Sequence, residues 1–214
     1  MSRTYEQYCP VARALEIVGE RWTLLIAREL LLGPRRFTDL MTGLPGISAN
    51  VLASRLRDLE DAGMVSKRTL PPPAASAVYE LTDDAAGLVT VVASMAEWGM
   101  TMLGRPRKDD EVRGSWLLLG LAVTGSAPDD IDGRFELHIG DEVLHVEVRD
   151  GNLHPRQGPA VDPAAVITAS AATFADLALG RLDPEAALSK GRLTLAGDAT
   201  AARRLLESVS RPSG

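Results

Sequence analysis

The sequence predicts two domains, a mainly α-helical N-terminal domain and an α+β C-terminal domain with an antiparallel sheet. The length of 214 residues is enough for one large domain or two small ones. Residues 105–113, RPRKDDEVR, are mostly charged and include a proline, which is typical of a solvated linker. Residues 1–108 carry 13 basic and 12 acidic side chains, a net charge of +1, whereas residues 109–214 carry 10 and 17, a net charge of −7. We therefore expect domains at 1–104 and 114–210, joined by a linker at 105–113.

The composition excludes several classes of protein. The chain is 45% apolar and 24% charged, as globular proteins are and disordered ones are not. No apolar run approaches the roughly 20 residues that cross a membrane, and the first residues lack the pattern of a signal peptide. One cysteine excludes an intramolecular disulfide and fits a reducing cytoplasm. The net charge of −6 alone argues against nucleic-acid binding, but almost all of that acidity belongs to the second half.

The N-terminal half has the pattern of several helices followed by a short hairpin. Helices are predicted where apolar residues recur at helical spacing, at Val11–Gly19, Trp22–Leu32, Phe37–Leu44, Ser48–Ala62 and Asp83–Leu103. Ser48 and Thr82 favour helix N-caps, and Gly63 favours a C-cap. Two strands, Met64–Leu70 and Ala77–Leu81, flank a proline-rich connection. This order predicts a winged helix-turn-helix, in which Ser48–Ala62 is the recognition helix.

The predicted recognition helix has two distinct faces. One side carries leucines, and the opposite side carries Asn50, Ser54, Arg57 and Asp61. Asn and Ser side chains can hydrogen-bond base edges, and Arg can bind guanine or phosphate. Further polar or basic residues flank this helix or lie at the base of the wing, and the whole predicted DNA-binding set is Arg35, Arg36, Ser48, Asn50, Ser54, Arg55, Arg57, Lys67 and Arg68. The alternative is an amphipathic helix whose polar face is merely solvated.

The stretches CPVARALEIVGERWTLLIARELLLGPRRFTDL, GISANVLASRLRDLEDAGMV and VYELT resemble the HxlR-type winged-helix transcriptional regulators over residues 9–100. The resemblance implies a homodimer that binds a near-palindromic DNA operator. It assigns dimerisation to the first helix and to Asp83–Leu103, which carries an apolar stripe at Leu88, Val91, Val92, Met95, Trp98 and Met102. The alternative for this stripe is an ordinary core within one chain.

Three features of this half bear on the resemblance. The wing, Leu70–Ala77, has no basic residue at its tip, which would weaken contact with phosphate. Asp83 and Asp84 stand where an aromatic residue is common in the family. Cys9 occupies a position that the resemblance implies can sense oxidants or electrophiles, which requires an accessible thiolate. The alternative is that Cys9 is a small buried apolar side chain.

The second half predicts a sheet with helices. Strands at Arg134–Ile139 and Glu142–Arg149 alternate around Gly140–Asp141, which predicts a hairpin with Leu137 opposite Leu144 and Glu136 opposite His145. Residues Gly151–Gly158 are predicted to be a loop. The remaining predicted elements are the buried helix Ser115–Thr124, the strands Ala165–Ala169 and Arg192–Ala196, and the helices Ala172–Leu179, Pro184–Leu188 and Ala199–Val209.

The segment DPAAVITASAATFADLALGRLDPEAALSKGRLTLAGDATAARRLLE resembles the sterol carrier protein type 2 domain. The resemblance implies a hydrophobic tunnel between sheet and helices that is suited to a lipid or another apolar small molecule. The candidate lining residues are Trp116, Leu119, Leu137, Phe174 and Leu177. The alternative is a dimerisation or packing module with a filled core, in which each of these residues is plain core.

The sequence lacks the motifs of an enzyme. It has no glycine-rich phosphate loop and no nucleophile elbow, and its carboxylates are scattered. Glu136, His138 and His145 could meet on one face of the hairpin, but a metal site usually needs a third firm ligand and a second shell, so we expect exposed polar residues here and no metal. We expect a cytoplasmic, nucleoid-associated regulator whose partners are double-stranded operator DNA, a second copy and an apolar small molecule or lipid, without cofactor or membrane partner. The alternatives are a lipid carrier whose N-terminal domain mainly dimerises and an enzyme acting on an apolar substrate.

Overall fold

A computed structural model describes residues 4–73, 75–104, 106–124, 126–128 and 130–209. The chain divides into two compact units, Met1–Val92 and Ala93–Gly214. This division falls inside a long helix, earlier in the chain than the predicted linker at 105–113. None of the helices within the described ranges combines the length and the apolar character that a membrane span requires.

The first unit is a winged helix-turn-helix. Its elements, of which the last continues into the second unit, are α1 (Pro10–Val18), α2 (Thr23–Leu31), α3 (Phe37–Gly43), α4 (Ala49–Asp61), β1 (Val65–Thr69), β2 (Ala77–Leu81) and α5 (Ala86–Met100). Strands β1 and β2 form the antiparallel wing, with Val65 opposite Leu81. The backbone of Arg35 also pairs with Tyr79 of β2, so the segment between α2 and α3 joins the wing.

Two capping predictions in this unit have different outcomes. The Ser48 hydroxyl accepts a hydrogen bond from the Val51 amide, so Ser48 is the N-cap of α4 as predicted. The prediction that Thr82 caps the last helix is wrong, because the Thr82 hydroxyl donates to the Gly63 carbonyl at 2.6 Å. A 3-10 turn, Asp83–Ala85, precedes α5 instead. The Thr82 side chain thus satisfies a carbonyl beyond the end of α4.

The core of the first unit forms around the apolar side of α4. Leu52, Leu56 and Leu59 are fully buried there, as the helical spacing predicts. They join a cluster with residues of α2, α3, the α3–α4 turn and both wing strands, namely Ile26, Leu30, Leu40, Leu44, Ile47, Val65 and Tyr79. This packing leaves the opposite side of α4 to the solvent.

The second unit is a five-stranded sheet with helices. Its strands are β3 (Gly133–Ile139), β4 (Glu142–Arg149), β5 (Asn152–Gln157), β6 (Ala165–Ala169) and β7 (Leu193–Gly197), in the spatial order β5-β4-β3-β6-β7. Its helices are α6 (Gly114–Thr124), α7 (Ala171–Ala178), α8 (Pro184–Ser189) and α9 (Ala199–Val209). The alternate residues of the strands, such as Phe135, Leu144 and Ile167, form one buried cluster with residues of α6, α7 and α9.

The predicted hairpin register is confirmed, whereas two other predictions for this unit are wrong. Leu137 pairs with Leu144 and Glu136 with His145. The sheet is mixed and not purely antiparallel, because β6 runs parallel to β3. Residues Gly151–Gly158 contain strand β5 and are not simply a loop. Pro155 obscured this strand in the sequence, but an edge strand tolerates proline because one side of its backbone has no partner.

Candidate nucleic-acid interface

The outward face of α4 carries the polar residues that the sequence predicts for base contact. Asn50, Arg57 and Asp61 are exposed and Ser54 is half-buried, opposite the buried leucines. Asn50 lies in the first turn, the end of a recognition helix that enters the major groove. Arg57 makes no ion pair with any residue in the described ranges. Its guanidinium is therefore available to a base or a phosphate.

Arg55 is held by two carboxylates. Its guanidinium lies 3.1 Å from Asp58 and 3.6 Å from Glu20, and its side chain is only 22% exposed. Contact with phosphate would require the guanidinium to leave both partners. Arg55 therefore lies on the flank of α4, as predicted, but within an acidic pair.

Arg35 and Arg36 are neighbours in sequence, but the side chain of Arg35 is largely buried whereas Arg36 is exposed. The Arg35 side chain is 12% exposed and lies toward Glu29, whose carbonyl accepts a hydrogen bond from Nε at 3.4 Å. Arg36 is exposed, and its amide donates to Asp39 at the start of α3. The structure thus directs Arg35 into the interior of the first unit, away from the phosphate contact predicted for it. Arg36, by contrast, is exposed to the solvent, where its side chain can reach a phosphate.

The wing carries two basic residues on β1, at its middle and toward its tip and not at its base as predicted. Lys67 is exposed and its ammonium lies 5.4 Å from the centre of the Tyr79 ring. Arg68 donates to Glu80 at 2.7 Å, and this hydrogen bond raises the pKa of the Arg68 guanidinium. Pro71–Pro73 are exposed beyond them. The wing can therefore contact phosphate through Lys67 more readily than through its apolar tip.

Cys9 is partly exposed at the N-cap position of α1. Arg13, one turn further along, forms an ion pair with Glu16 at 2.9 Å. Hydrogen bonds from the Tyr5 amide and from Arg13 lower the pKa of the Glu16 carboxyl. The positive charge nearest in sequence to the thiol is therefore already engaged by a carboxylate.

The apolar stripe predicted on the last helix of the first domain is only partly buried. Leu88 and Val92 are buried, which fits the alternative that they are core residues. Other members and neighbours of the stripe are exposed, namely Val89, Val91, Met95, Trp98, Met102 and Leu103. On α1, Val11 and Leu15 are exposed as well. Both α1 and α5, the helices to which the family resemblance assigns dimerisation, therefore carry exposed apolar side chains.

The candidate ligand residues of the second unit do not all come together. Leu137, Phe174 and Leu177 are fully buried in one cluster between sheet and helices. Leu119 is buried outside that cluster. Trp116 is half-buried, with the Arg113 guanidinium 5.6 Å from its ring centre. The sheet-facing core therefore contains three of the five predicted lining residues.

The histidines on the outer face of the sheet make ordinary polar contacts. His138 Nε2 lies 2.6 Å from a Glu136 carboxylate oxygen, and the Ala160 amide donates to the other at 2.9 Å. Both hydrogen bonds lower the pKa of Glu136. His145 Nδ1 lies 2.9 Å from the Gly158 carbonyl. Across the part of the chain that the structure describes, no three His, Cys, Asp or Glu side chains form a group that could hold a metal.

Two residues of the first unit are notable although no sequence motif singles them out. Val51 is 39% exposed beside Asn50 on α4, an apolar side chain at the groove-entering end of the helix. Glu29 is buried within the helical core. The signal for Glu29 was a lone acidic residue in the apolar run TLLIARELLL, and the signal for Val51 was its place outside the leucine face.

Comparison with known proteins finds two family models. A model of the HxlR-like helix-turn-helix matches residues 17–107, and a model of the SCP-2 sterol transfer family matches residues 125–208. The solved reduced form of the transcriptional regulator YodB from B. subtilis is 31% identical, with a TM-score of 0.40, over 47% of this chain and 100% of that one.

Curated relatives resemble the first half of the chain. YvaP from Bacillus subtilis is 33% identical over 93 residues, 43% of this chain and 86% of the relative. YodB from the same organism is 35% identical over 91 residues, 42% of this chain and 81% of the relative. The regulator Mb3122 from Mycobacterium bovis is 42% identical over 96 residues, 45% of this chain and 60% of the relative, so the chain spans less than two thirds of that protein. All three are named HTH-type transcriptional regulators. The second half of the chain carries an SCP-2 sterol transfer family domain. Because its first unit is a winged helix-turn-helix and these relatives match it there, the chain belongs to the HxlR-like helix-turn-helix family.

Proposed function

We propose that this regulator binds near-palindromic operator DNA as a homodimer, and that an apolar small molecule in the second domain modulates the binding. The observation that carries the DNA-binding part is the outward face of α4, where Asn50 and Arg57 are exposed opposite a buried leucine face. Such a helix can enter the major groove with its N-terminal residues against base edges. Operator binding also implies a cytoplasmic, nucleoid-associated protein.

The test of DNA recognition is binding of the full chain to DNA as a function of salt. Footprinting upstream of its own gene and of the neighbouring genes would identify the operator. We expect Asn50→Ala and Arg57→Ala each to lower operator affinity by about 1–3 kcal/mol. The matched control, Asn152→Ala, removes an exposed amide from the second unit without a change of charge and should leave affinity unchanged. Wild-type affinity in both α4 variants would exclude the proposed recognition face.

The homodimer is supported by the exposed apolar side chains of α1 and α5. Trp98 is 65% exposed, Met95 lies about one turn before it on α5, and Met102 is exposed just beyond the end of the helix. A second copy of the chain would bury these residues across a two-fold axis, which also suits two half-sites about 34–36 Å apart. We expect Trp98→Glu to shift sedimentation from dimer to monomer. The control Val161→Glu, at an exposed apolar position of the second unit, should leave the dimer intact.

Ligand modulation is supported by the SCP-2 family match and by the apolar cluster that contains Leu137, Phe174 and Leu177. A ligand can modulate operator binding only if it binds more tightly to one spacing of the two recognition helices. Native mass spectrometry of the purified protein tests for a co-purifying lipid or other apolar molecule. Extraction of that molecule should then change operator affinity, whereas identical affinity before and after extraction would exclude modulation.

The same family match favours a second candidate, a carrier of apolar molecules whose N-terminal domain mainly dimerises. The two proposals differ in one measurement, because a carrier needs no sequence-selective and salt-dependent DNA binding. We propose further that the chain acts by binding and not by catalysis. Turnover of any apolar substrate by the purified chain would contradict this.

A further inference from the structure

The first unit buries a carboxylate that the recognition face does not use. Glu29, near the end of α2, has a side chain that is only 5% exposed. Burial of an ionised carboxylate is strongly unfavourable unless the group is paired and hydrogen-bonded. Arg28 meets that need, since its Nη2 and Nε lie 2.7 and 3.1 Å from Oε1. A second guanidinium, that of Arg35, lies 4.0 Å from Oε2.

The C-terminal end of α3 is shaped to accept this carboxylate. Gly43 is the last residue of α3 and is buried. A Cβ atom added to Gly43 would lie 2.4 Å from Oε2 of Glu29 and 2.8 Å from its Cδ. The Gly43 carbonyl also accepts a hydrogen bond from Arg28 at 3.4 Å. The absence of a side chain therefore lets the end of α3, which leads into α4, rest directly on the Glu29 carboxylate.

The other side of the cluster reaches the wing through Arg35. The side chain of Arg35 faces Glu29, whereas its backbone exchanges two hydrogen bonds with Tyr79 of β2, at 2.9 and 2.8 Å. One residue thus contacts both the buried carboxylate and a wing strand. The cluster of Arg28, Glu29 and Arg35 accordingly touches α2, the end of α3 and β2.

We propose that Glu29, with Arg28 and Arg35, is a positioning residue that fixes the wing relative to the recognition helix, so that both can contact DNA at once. The directional hydrogen bonds of a buried charged network favour one arrangement over its neighbours, whereas apolar packing alone would permit small slips. This inference rests on the proposed operator binding. It assigns to Arg35 a role within the protein and not on the phosphate backbone.

The test combines Glu29→Gln with Lys67→Ala, which removes the wing ammonium. Operator affinity falls as salt rises, and the slope is the steepness of that fall, log affinity against log salt. Each lost phosphate contact makes the fall shallower, so it lowers this slope by about 1. In the wild-type chain we expect Lys67→Ala to lower the slope by about 1. In the Glu29→Gln chain the wing is already displaced, so the slope is low at the outset and Lys67→Ala lowers it no further. Operator affinity at low salt should fall at least about tenfold in Glu29→Gln.

Three further variants keep the test decisive. Gly43→Ala, whose Cβ would displace the carboxylate, should reproduce the loss of slope, and the Glu29→Gln/Gly43→Ala pair should be no worse than either alone. Glu6→Gln, which removes an exposed carboxylate, should leave the slope unchanged. Circular dichroism at the assay temperature establishes which variants are folded.

The outcomes separate the two proposals. If the wild-type chain binds no operator, the proposed function fails. If it binds and Lys67→Ala lowers the slope equally in the wild-type and Glu29→Gln backgrounds, the positioning role is overturned while operator binding stands. A Glu29→Gln chain that loses affinity only in proportion to its unfolded fraction, with the wild-type slope, would likewise overturn the positioning role. If Glu29→Gln does not fold, a folded Gly43→Ala chain with the wild-type slope would overturn the positioning role.

Discussion

Arginine side chains in the first unit differ in whether a carboxylate already holds them. Arg57 is exposed without an ion pair among the described residues, Arg55 is held by Glu20 and Asp58, and Arg35 lies toward Glu29. All three have the residue type that phosphate recognition favours. Helical spacing places Arg57 on the outer face, but it cannot reveal Glu20 or Glu29, since these partners come from other turns of the chain. Residue type and helical period thus predict which face of α4 is exposed, and only three-dimensional contacts separate Arg57 from the arginines held by carboxylates.

Val51 should recognise a thymine methyl group in the operator. It is an exposed apolar side chain next to Asn50, and thymine alone presents a methyl group in the major groove. Replacement of the contacted thymine by deoxyuridine should weaken wild-type binding by about 0.8 kcal/mol, about fourfold, the value of one buried methyl group. In Val51→Ala the same replacement should change affinity much less. An equal effect of deoxyuridine in both proteins at every operator position would contradict this.

The Glu136 carboxyl should make the second unit sensitive to acid. Its pKa is lowered by hydrogen bonds from His138 and from the Ala160 amide. A carboxyl whose pKa is lower in the folded than in the unfolded state stabilises the fold above its unfolded pKa, and this stability is lost as the pH falls through the folded pKa. We expect Glu136→Gln to flatten the loss of unfolding free energy below about pH 4.3. Urea unfolding between pH 7 and pH 3 measures it, and Asp141→Asn, at an exposed position, should keep the wild-type profile.

At the scale of elements, local patterns predicted most of the fold. The β3–β4 register follows from alternation around a two-residue turn, and the bounds of β2, β6 and α9 match the predicted ones. The parallel pairing of β6 with β3 could not be read locally, because it joins strands that are distant in the chain. Strand β5 was missed since proline and glycine near a strand usually indicate a loop. Long-range pairing and edge position therefore account for the errors.

Thr82 should stabilise the junction between α4, the wing and α5. Its hydroxyl donates to the Gly63 carbonyl, a group that follows α4 and has no helical partner. Thr82→Val keeps the shape and removes the donor, so we expect a loss of about 1 kcal/mol in the stability of the first unit. Amide hydrogen exchange of α4 as a function of urea measures this loss. Thr69→Val, at an exposed threonine of β1, should be near neutral, and equal protection in both variants would rule out the role given to Thr82.

At the scale of the whole molecule, the acidity and the proposed DNA-binding face belong to different parts of the chain. Residues 1–108 have a net charge of +1 and residues 109–214 a net charge of −7. A net charge of −6 thus says little about α4, because the field at a binding face depends on nearby charges and not on the sum. We expect the acidic half to repel DNA phosphates, and we expect this repulsion to weaken as salt rises.

This repulsion can be measured with carboxylates that make no hydrogen bond or ion pair in the described ranges. Asp141 and Asp162 are exposed, and Asp141→Asn/Asp162→Asn removes two negative charges with little change of shape. We expect operator affinity to rise about twofold at low salt and the gain to vanish near 1 M salt, where the screening length is about 3 Å. Asp141→Glu/Asp162→Glu keeps the charge and should behave as wild type. A gain that persists at high salt would mean that the two positions act through structure, and no gain at any salt would mean that the acidic half does not repel the operator.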